Sequence, residues 1–271
     1  MANPVSATAY FCAGVRMLDA KRPDSLLCDH YAERFMGEEG KAVFEKFKHL
    51  PASIEANQVR IHLVDDIVRT KLREYPDLLI VLLGAGFDSR AFRMRGGRWL
   101  EVDEAPIIKR KEEIAPARSC PNPLERVAID FARESLAGKL APWRTGAPVL
   151  VICEGVMMYL VQSQIETLVG ALKTNFPEHW LCGDLLTRTF ALSYGLRMTH
   201  AVSAIGAHYH GLVDFPLRRL KGFGYRPEHV RSVMMRAAAT KRAPLAGVLK
   251  RTLWAMPLLR NGYRIALLRS V

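Results

Sequence analysis

The chain alternates short apolar runs with amphipathic segments, and the runs share a form. Residues 78–83, LLIVLL, are continuously apolar and lead into Gly84, Ala85 and Gly86, then the polar turn Asp88, Ser89, Arg90. An unbroken apolar run of this length predicts a strand buried on both faces, as in a parallel sheet. Residues 98–103 (RWLEVD), 126–130 (RVAID) and 148–155 (PVLVICEG) repeat the pattern, each closing on an acid or on an acid and a glycine. Residues 179–188 predict a fifth strand, 229–235 (HVRSVMM) a sixth and 263–271 (YRIALLRSV) a terminal one. Strands that alternate with helices imply a parallel sheet with its ligand crevice at the carboxyl ends.

The intervening segments read as helices. Residues 1–75 predict a helical N-terminal cover, with Ser6 and Thr8 as possible caps, a Pro-Asp turn at residues 23–24 and a helix over 57–73. On that helix Val59, Leu63, Ile67 and Val68 form a face able to cover the sheet, and Pro76 prevents its continuation. A helix is predicted over 162–176 and a basic one over 244–259. Residues 190–221 fit the sheet poorly and read as a helical insertion beside the crevice. The whole divides into one domain: a cover (1–75), a core (76–189), a lid insertion (190–225) and a C-terminal strand–helix–strand (226–271).

The strand ends hold the candidate chemistry. Gly84 and Gly86 permit a tight turn and close approach of a ligand to the backbone. Asp103 stands 17 positions after Gly86, where an acid at the second strand's tip can accept both hydroxyls of a ribose. Asp130 and Glu154 end the third and fourth runs. Other readings stay open at this level: Asp130 as a helix N-cap, Glu154 as a capping or salt-bridge acid, Asp88 as a helix start, and Arg60 in a surface pair with Asp66 or Glu55.

Bulk properties narrow the class. The apolar fraction of 49% over 271 residues supports a substantial core, and no span has the length of a membrane helix. The start lacks the features of a signal peptide, and the five cysteines have no paired metal spacing, so free thiols in a reducing cytoplasm are expected. A net charge of +12 favours anionic partners. No aromatic residues interleave with the basic ones, and no nucleic-acid module is expected.

In this order and spacing, LLGAGFDSRAFRM, EVDEAPIIKRK, VAIDF and ICEGVMMYL, with the leader SATAYFCAGVR…LLCDHYAERFMG and VRIHLVDDIV, resemble the leucine carboxyl methyltransferase superfamily. They are most similar to its bacterial branch of polyketide-biosynthesis O-methyltransferases, the tetracenomycin carboxyl methyltransferase-like proteins. The resemblance covers about residues 6–190. It implies an α/β, Rossmann-like class I methyltransferase fold: a seven-stranded, mostly parallel sheet with helices on both faces and an antiparallel last strand. It implies S-adenosylmethionine as methyl donor, with no metal.

By the same resemblance, Gly84, Ala85 and Gly86 pass beneath the donor, Asp103 holds its ribose, and Asp130 and Phe131 meet its adenine. Glu154 stands near its amino group or sulfonium, Arg60 pairs with its carboxylate, and Arg16 in the leader helps cover it. A donor with a carboxylate, an ammonium and a diol calls for an arginine fork at one end and acids at the other positions. The expected acceptor is a small, anionic molecule, most simply a carboxylate, which is ionised at neutral pH and requires no general base. A hydroxyl acceptor would benefit from a base, for which His200, His208 and His210 are candidates. Tyr159, Tyr194 and Tyr209 are candidates to orient a substrate. A non-catalytic binding protein on the same fold is the remaining alternative.

Overall fold

The structure of the protein, a computed structural model, describes residues 4–240 and 256–271. Three helices come first: α1 (Pro4–Ala20), α2 (Ala32–Glu45) and α3 (Pro51–Glu74). The core then runs β1 (Leu79–Leu83), α4 (Arg90–Arg93), β2 (Arg98–Asp103), α5 (Ala105–Ile114), β3 (Leu124–Ala128), α6 (Leu136–Leu140), β4 (Val149–Cys153), α7 (Gln162–Asn175) and β5 (His179–Leu186). Three short helices follow, α8 (Arg188–Leu192), α9 (Leu196–Ala204) and α10 (Pro216–Gly222). The described chain ends with β6 (Tyr225–Ser232), α11 (Val233–Ala239), α12 (Pro257–Gly262) and β7 (Tyr263–Ser270).

The strands form one seven-stranded sheet in the order β3-β2-β1-β4-β5-β7-β6. β1 to β5 are parallel, and β7 runs antiparallel to both β5 and β6. All five residues of β1 and of β4 are buried, as their unbroken apolar runs require. The period of two along each strand sorts them between the faces. Ile80, Leu82, Leu150, Ile152 and Cys182 pack under α1, α3 and α11. Leu79, Val81, Leu83, Val151 and Cys153 pack against α6, α7 and α10. Val59, Leu63, Ile67 and Val68 of α3 are all buried, so this face does cover the sheet. β1 lies between β2 and β4, which places the switch in winding direction, and hence the crevice, at the ends of β1 and β4.

Several predicted boundaries move, among them a strand end, a strand register and a helix start. The third strand ends at Ala128, so Asp130 stands in the turn beyond it. The sixth strand is Tyr225–Ser232, and residues 233–235 start α11, because the Ser232 hydroxyl accepts the Met235 N–H and caps a helix there. α1 begins at Pro4, so Thr8 lies within the helix and does not cap it. Most of the basic helix predicted over 244–259 falls outside the described residues; its last positions open α12. Among the described residues no helix is long and apolar enough to cross a membrane.

Candidate functional site

The turn after β1 is held by its neighbours. Gly84 and Gly86 have φ of +66° and +47°, a region costly for other residues. A Cβ on Gly84 would lie 2.6 Å from Val156 Cγ2, and one on Gly86 would lie 3.3 Å from the Cβ of Ala9 in α1. The glycines thus let the turn pass between the loop after β4 and the leader. The Gly86 N–H donates to Asp103 Oδ2 at 2.6 Å, and the Glu104 N–H to Oδ1 at 2.7 Å. The acid that closes β2 is therefore tied directly to the glycine turn. Burial raises the Asp103 pKa despite these two N–H donors and nearby Lys111.

The end of β4 holds a buried charge network. Glu154 Oε1 accepts from Arg60 Nε at 2.8 Å, and its Oε2 lies 2.8 Å from Arg90 Nη2. Arg60 also reaches the Tyr263 hydroxyl at 3.2 Å, Cys12 Sγ at 3.4 Å and Asp184 Oδ2 at 3.8 Å. It is buried, and the surface pairing with Asp66 does not form; Asp66 faces His62, Arg69, Arg231 and Arg236. Gly155, with φ of +70°, donates its N–H to Asp184 Oδ1 at 2.8 Å. A Cβ on Gly155 would stand 3.6 Å from Arg60 Nη1 and 3.7 Å from Nη2. The missing side chain leaves room for about a methyl group between the loop after β4 and the guanidinium.

Arg90 is the centre of this network, although it reads only as part of a polar turn in the sequence. It is 1% exposed and bonds Asp65, Asp88 and the Ile61 carbonyl besides its pairing with Glu154. Asp65 is shared with Arg93 at 3.0 Å. Asp88 accepts the Arg90 N–H as well, in keeping with a helix start. Burial pushes the Asp88 pKa up, but Arg90, Arg16, Lys111 and that N–H together outweigh it and bring it down to about 2. A depressed carboxylate stabilises the fold above its unfolded pKa, near 4, and loses that contribution as pH falls toward 2. Asp88→Asn is therefore expected to cost about 2 kcal/mol at pH 7. The difference from the parent should shrink to a few tenths of a kcal/mol near pH 2 and vanish below it, which urea unfolding at stepped pH will measure.

Arg16 joins the leader to the site. Its Nε pairs with Asp29 at 2.8 Å and its Nη2 donates to the Phe87 carbonyl at 2.6 Å, one residue past Gly86. Asp29 in turn accepts from the Ser89 hydroxyl. At β3 the arrangement is looser. Asp130 accepts the Ala132 N–H within a turn, the N-cap of α6 being Ser135, and Phe131 is 48% exposed.

The candidate substrate-side residues separate into two groups. Tyr159 and Tyr209 pack ring to ring with centroids 5.2 Å apart, beside Cys12 and Arg60. Burial raises the Tyr159 pKa well above its ordinary value and pushes that of Tyr209 up to about 12, so both stay neutral phenols near neutral pH. His200, His208 and His210 are exposed, and Tyr194 is half exposed against Phe190. No group of three or more His, Cys, Asp or Glu side chains placed to hold a metal occurs among the described residues. The sequence reading missed Arg90, Asp184 and Tyr263. Asp184 did have a signal, an acid inside the apolar fifth run, because a buried carboxylate needs partners.

The sequence model of the leucine carboxyl methyltransferase family matches residues 9–173. A Streptomyces avermitilis protein, provisionally named as an S-adenosyl-L-methionine-dependent methyltransferase, is 34% identical over 186 residues, 62% of this chain and 64% of that protein. A Streptomyces coelicolor protein with the same provisional name is 33% identical over 185 residues, again 62% and 64%. The match thus spans less than two thirds of the length of either relative. Among solved structures, a DUF574 family protein from Streptomyces avermitilis has a TM-score of 0.64 at 14% identity, covering 89% of this chain and 95% of that one. Magnesium protoporphyrin IX methyltransferase from Synechocystis, crystallised with bound SAH (S-adenosylhomocysteine), has a TM-score of 0.53 at 13% identity, covering 90% and 100%. At these identities the likeness shows the fold, the α/β sheet of class I methyltransferases.

Proposed function

The chain belongs to the leucine carboxyl methyltransferase family, and on that premise we propose that it is an S-adenosylmethionine-dependent O-methyltransferase. Its proposed acceptor is the carboxylate of a small molecule, of the polyketide-like or other secondary-metabolite kind, met in the cytoplasm. The single observation that best supports this reading is the buried Arg60 guanidinium facing the bare side of Gly155. A guanidinium held by Glu154, with its other nitrogens near Tyr263, Asp184 and Cys12, still has an N–H to offer the carboxylate of an amino-acid-bearing ligand.

The other residues fit the same ligand. Asp103, oriented by two backbone N–H groups, keeps lone pairs for a ribose diol. Gly84 and Gly86 leave room for a chain beneath the leader, and Asp130 and Phe131 offer a polar and an apolar contact to an adenine. Glu154 acts chiefly by positioning, since each of its oxygens already faces a guanidinium. When bound, the donor supplies an activated methyl group on a sulfonium. The chain's work is alignment and exclusion of water, which can be worth several kcal/mol, up to roughly 10 in the best intramolecular cases. Neutral Tyr159 and Tyr209 can donate hydrogen bonds that orient an acceptor oxygen, and a carboxylate acceptor needs no proton removed.

The test is methyl transfer from labelled S-adenosylmethionine to paired acids and phenols, with alkali treatment of the product. Methyl esters release labelled methanol under alkali and methyl ethers do not. His200→Ala, His208→Ala and His210→Ala are each expected to keep kcat within about twofold, because no base is required. A loss of a hundredfold or more at one of them, with an ionisation limb in the pH–rate profile, would move the acceptor to a hydroxyl.

A further inference from the structure

The proposed reading leaves open how an acceptor is held, and the lid side of the β4 and β5 ends contains a feature that addresses it. A small cavity there is lined by Met157, Met158, Leu185, Leu186 and Leu220 among others, with Asp184 and Arg219 as its ionisable members. The segment bearing it is fastened to the loop after β4. The Gly211 N–H donates to the Met158 carbonyl at 2.9 Å, and a Cβ on Gly211 would lie 2.2 Å from the Met157 carbonyl oxygen. Asp184 is already engaged, by the Gly155 N–H on one oxygen and the Tyr263 hydroxyl on the other.

Arg219, which is half-buried, differs from the buried arginines described above. Arg16, Arg60, Arg90 and Arg93 each pair with carboxylates. The Arg219 Nη2 donates to the Gly211 carbonyl at 3.0 Å, while its Nε is buried without a hydrogen-bond partner. A buried guanidinium N–H without a partner is costly until an acceptor meets it. We propose that Arg219 is the acceptor anchor, a specificity-determining residue that binds the carboxylate of a monoanionic acid whose apolar body lies against Met157, Met158 and Leu186. The partial burial of the guanidinium depresses its pKa and marks the same imbalance. Asp184 at the same cavity argues for one negative charge over two, because a dianion would face it with only one cation to balance.

This inference rests on the methyltransferase reading for its meaning, but its test does not. Octanoate is the probe, titrated by calorimetry into the full chain with SAH present, beside octanol as the uncharged match. Octanoate is expected to bind at least tenfold more tightly than octanol. Arg219→Gln, which keeps a polar side chain and removes the charge, should weaken octanoate at least tenfold, leave octanol unchanged and leave SAH affinity within twofold. Arg219→Lys should retain most of the octanoate affinity, since it keeps the charge. Equal binding of octanoate and octanol to the parent protein, or equal octanoate affinity in Arg219→Gln, overturns the proposal whatever the variants' stability. Failure of SAH itself to bind would instead remove the donor reading, and titration of octanoate alone then still decides the anchor.

Discussion

Arg90→Met is expected to lower the unfolding free energy by about 3–5 kcal/mol, the range seen when one partner of a buried ion pair is removed. Methionine matches the aliphatic stem and carries no charge, so much of the cost falls on the acids left behind. Asp65 keeps Arg93 and Glu154 keeps Arg60, but Asp88 loses its direct pairing. Asp88→Asn in the Arg90→Met background should therefore recover part of the loss, in the range of about 0.5–3 kcal/mol typical for coupled contacts. Arg133→Met is the control, because Arg133 is exposed and lies 3.7 Å from Asp130; it should change stability by less than about 0.5 kcal/mol. Urea unfolding followed by circular dichroism measures these three variants beside the parent. A change below about 1 kcal/mol for Arg90→Met would show that the network around it contributes little to folding.

That network also shows where sequence reading stops. β1 and β2 were legible because an unbroken apolar run meets a glycine or an acid, and such a boundary is local. The antiparallel β7 was legible through its own run, residues 263–271. The sixth strand was misplaced because β6 is an edge strand with residues 226–231 all exposed, so it shows no apolar alternation, while the apolar residues 233–235 belong to a capped helix. Arg90 read as a turn residue because its partners, Asp65 on α3 and Glu154 after β4, become neighbours only through the sheet order. Arg60 was picked out by family resemblance; chain spacing alone could not separate a surface pair with Asp66 from a buried one with Glu154. The three strand-end acids were all visible, but their surroundings were not. Asp103 is buried on two N–H donors, Glu154 lies between two arginines and Asp130 accepts an N–H within a turn. The same residue type at the same kind of position thus meets three different electrostatic environments.

Arg60→Gln is expected to weaken S-adenosylmethionine and SAH binding by at least about 30-fold, corresponding to the lower end of the 2–5 kcal/mol cost of truncating a buried hydrogen-bonded charge. Calorimetry with two ligands separates this role from a structural one. 5′-Methylthioadenosine has the nucleoside but lacks the amino-acid carboxylate. Its affinity should change less than threefold in Arg60→Gln, because Arg60 is proposed to meet only the carboxylate. Asp103→Ala should weaken both ligands at least tenfold, because the ribose is common to them. The fold should persist in Arg60→Gln, since Glu154 keeps Arg90 and Asp184 keeps the Gly155 N–H. Equal losses for SAH and 5′-methylthioadenosine in Arg60→Gln would mean that Arg60 acts by holding β4, α3 and β7 together. The open face of Gly155 would then have no bearing on the donor. Unchanged binding in Asp103→Ala would remove the ribose from β2 and require a different orientation of the nucleoside along the strand ends.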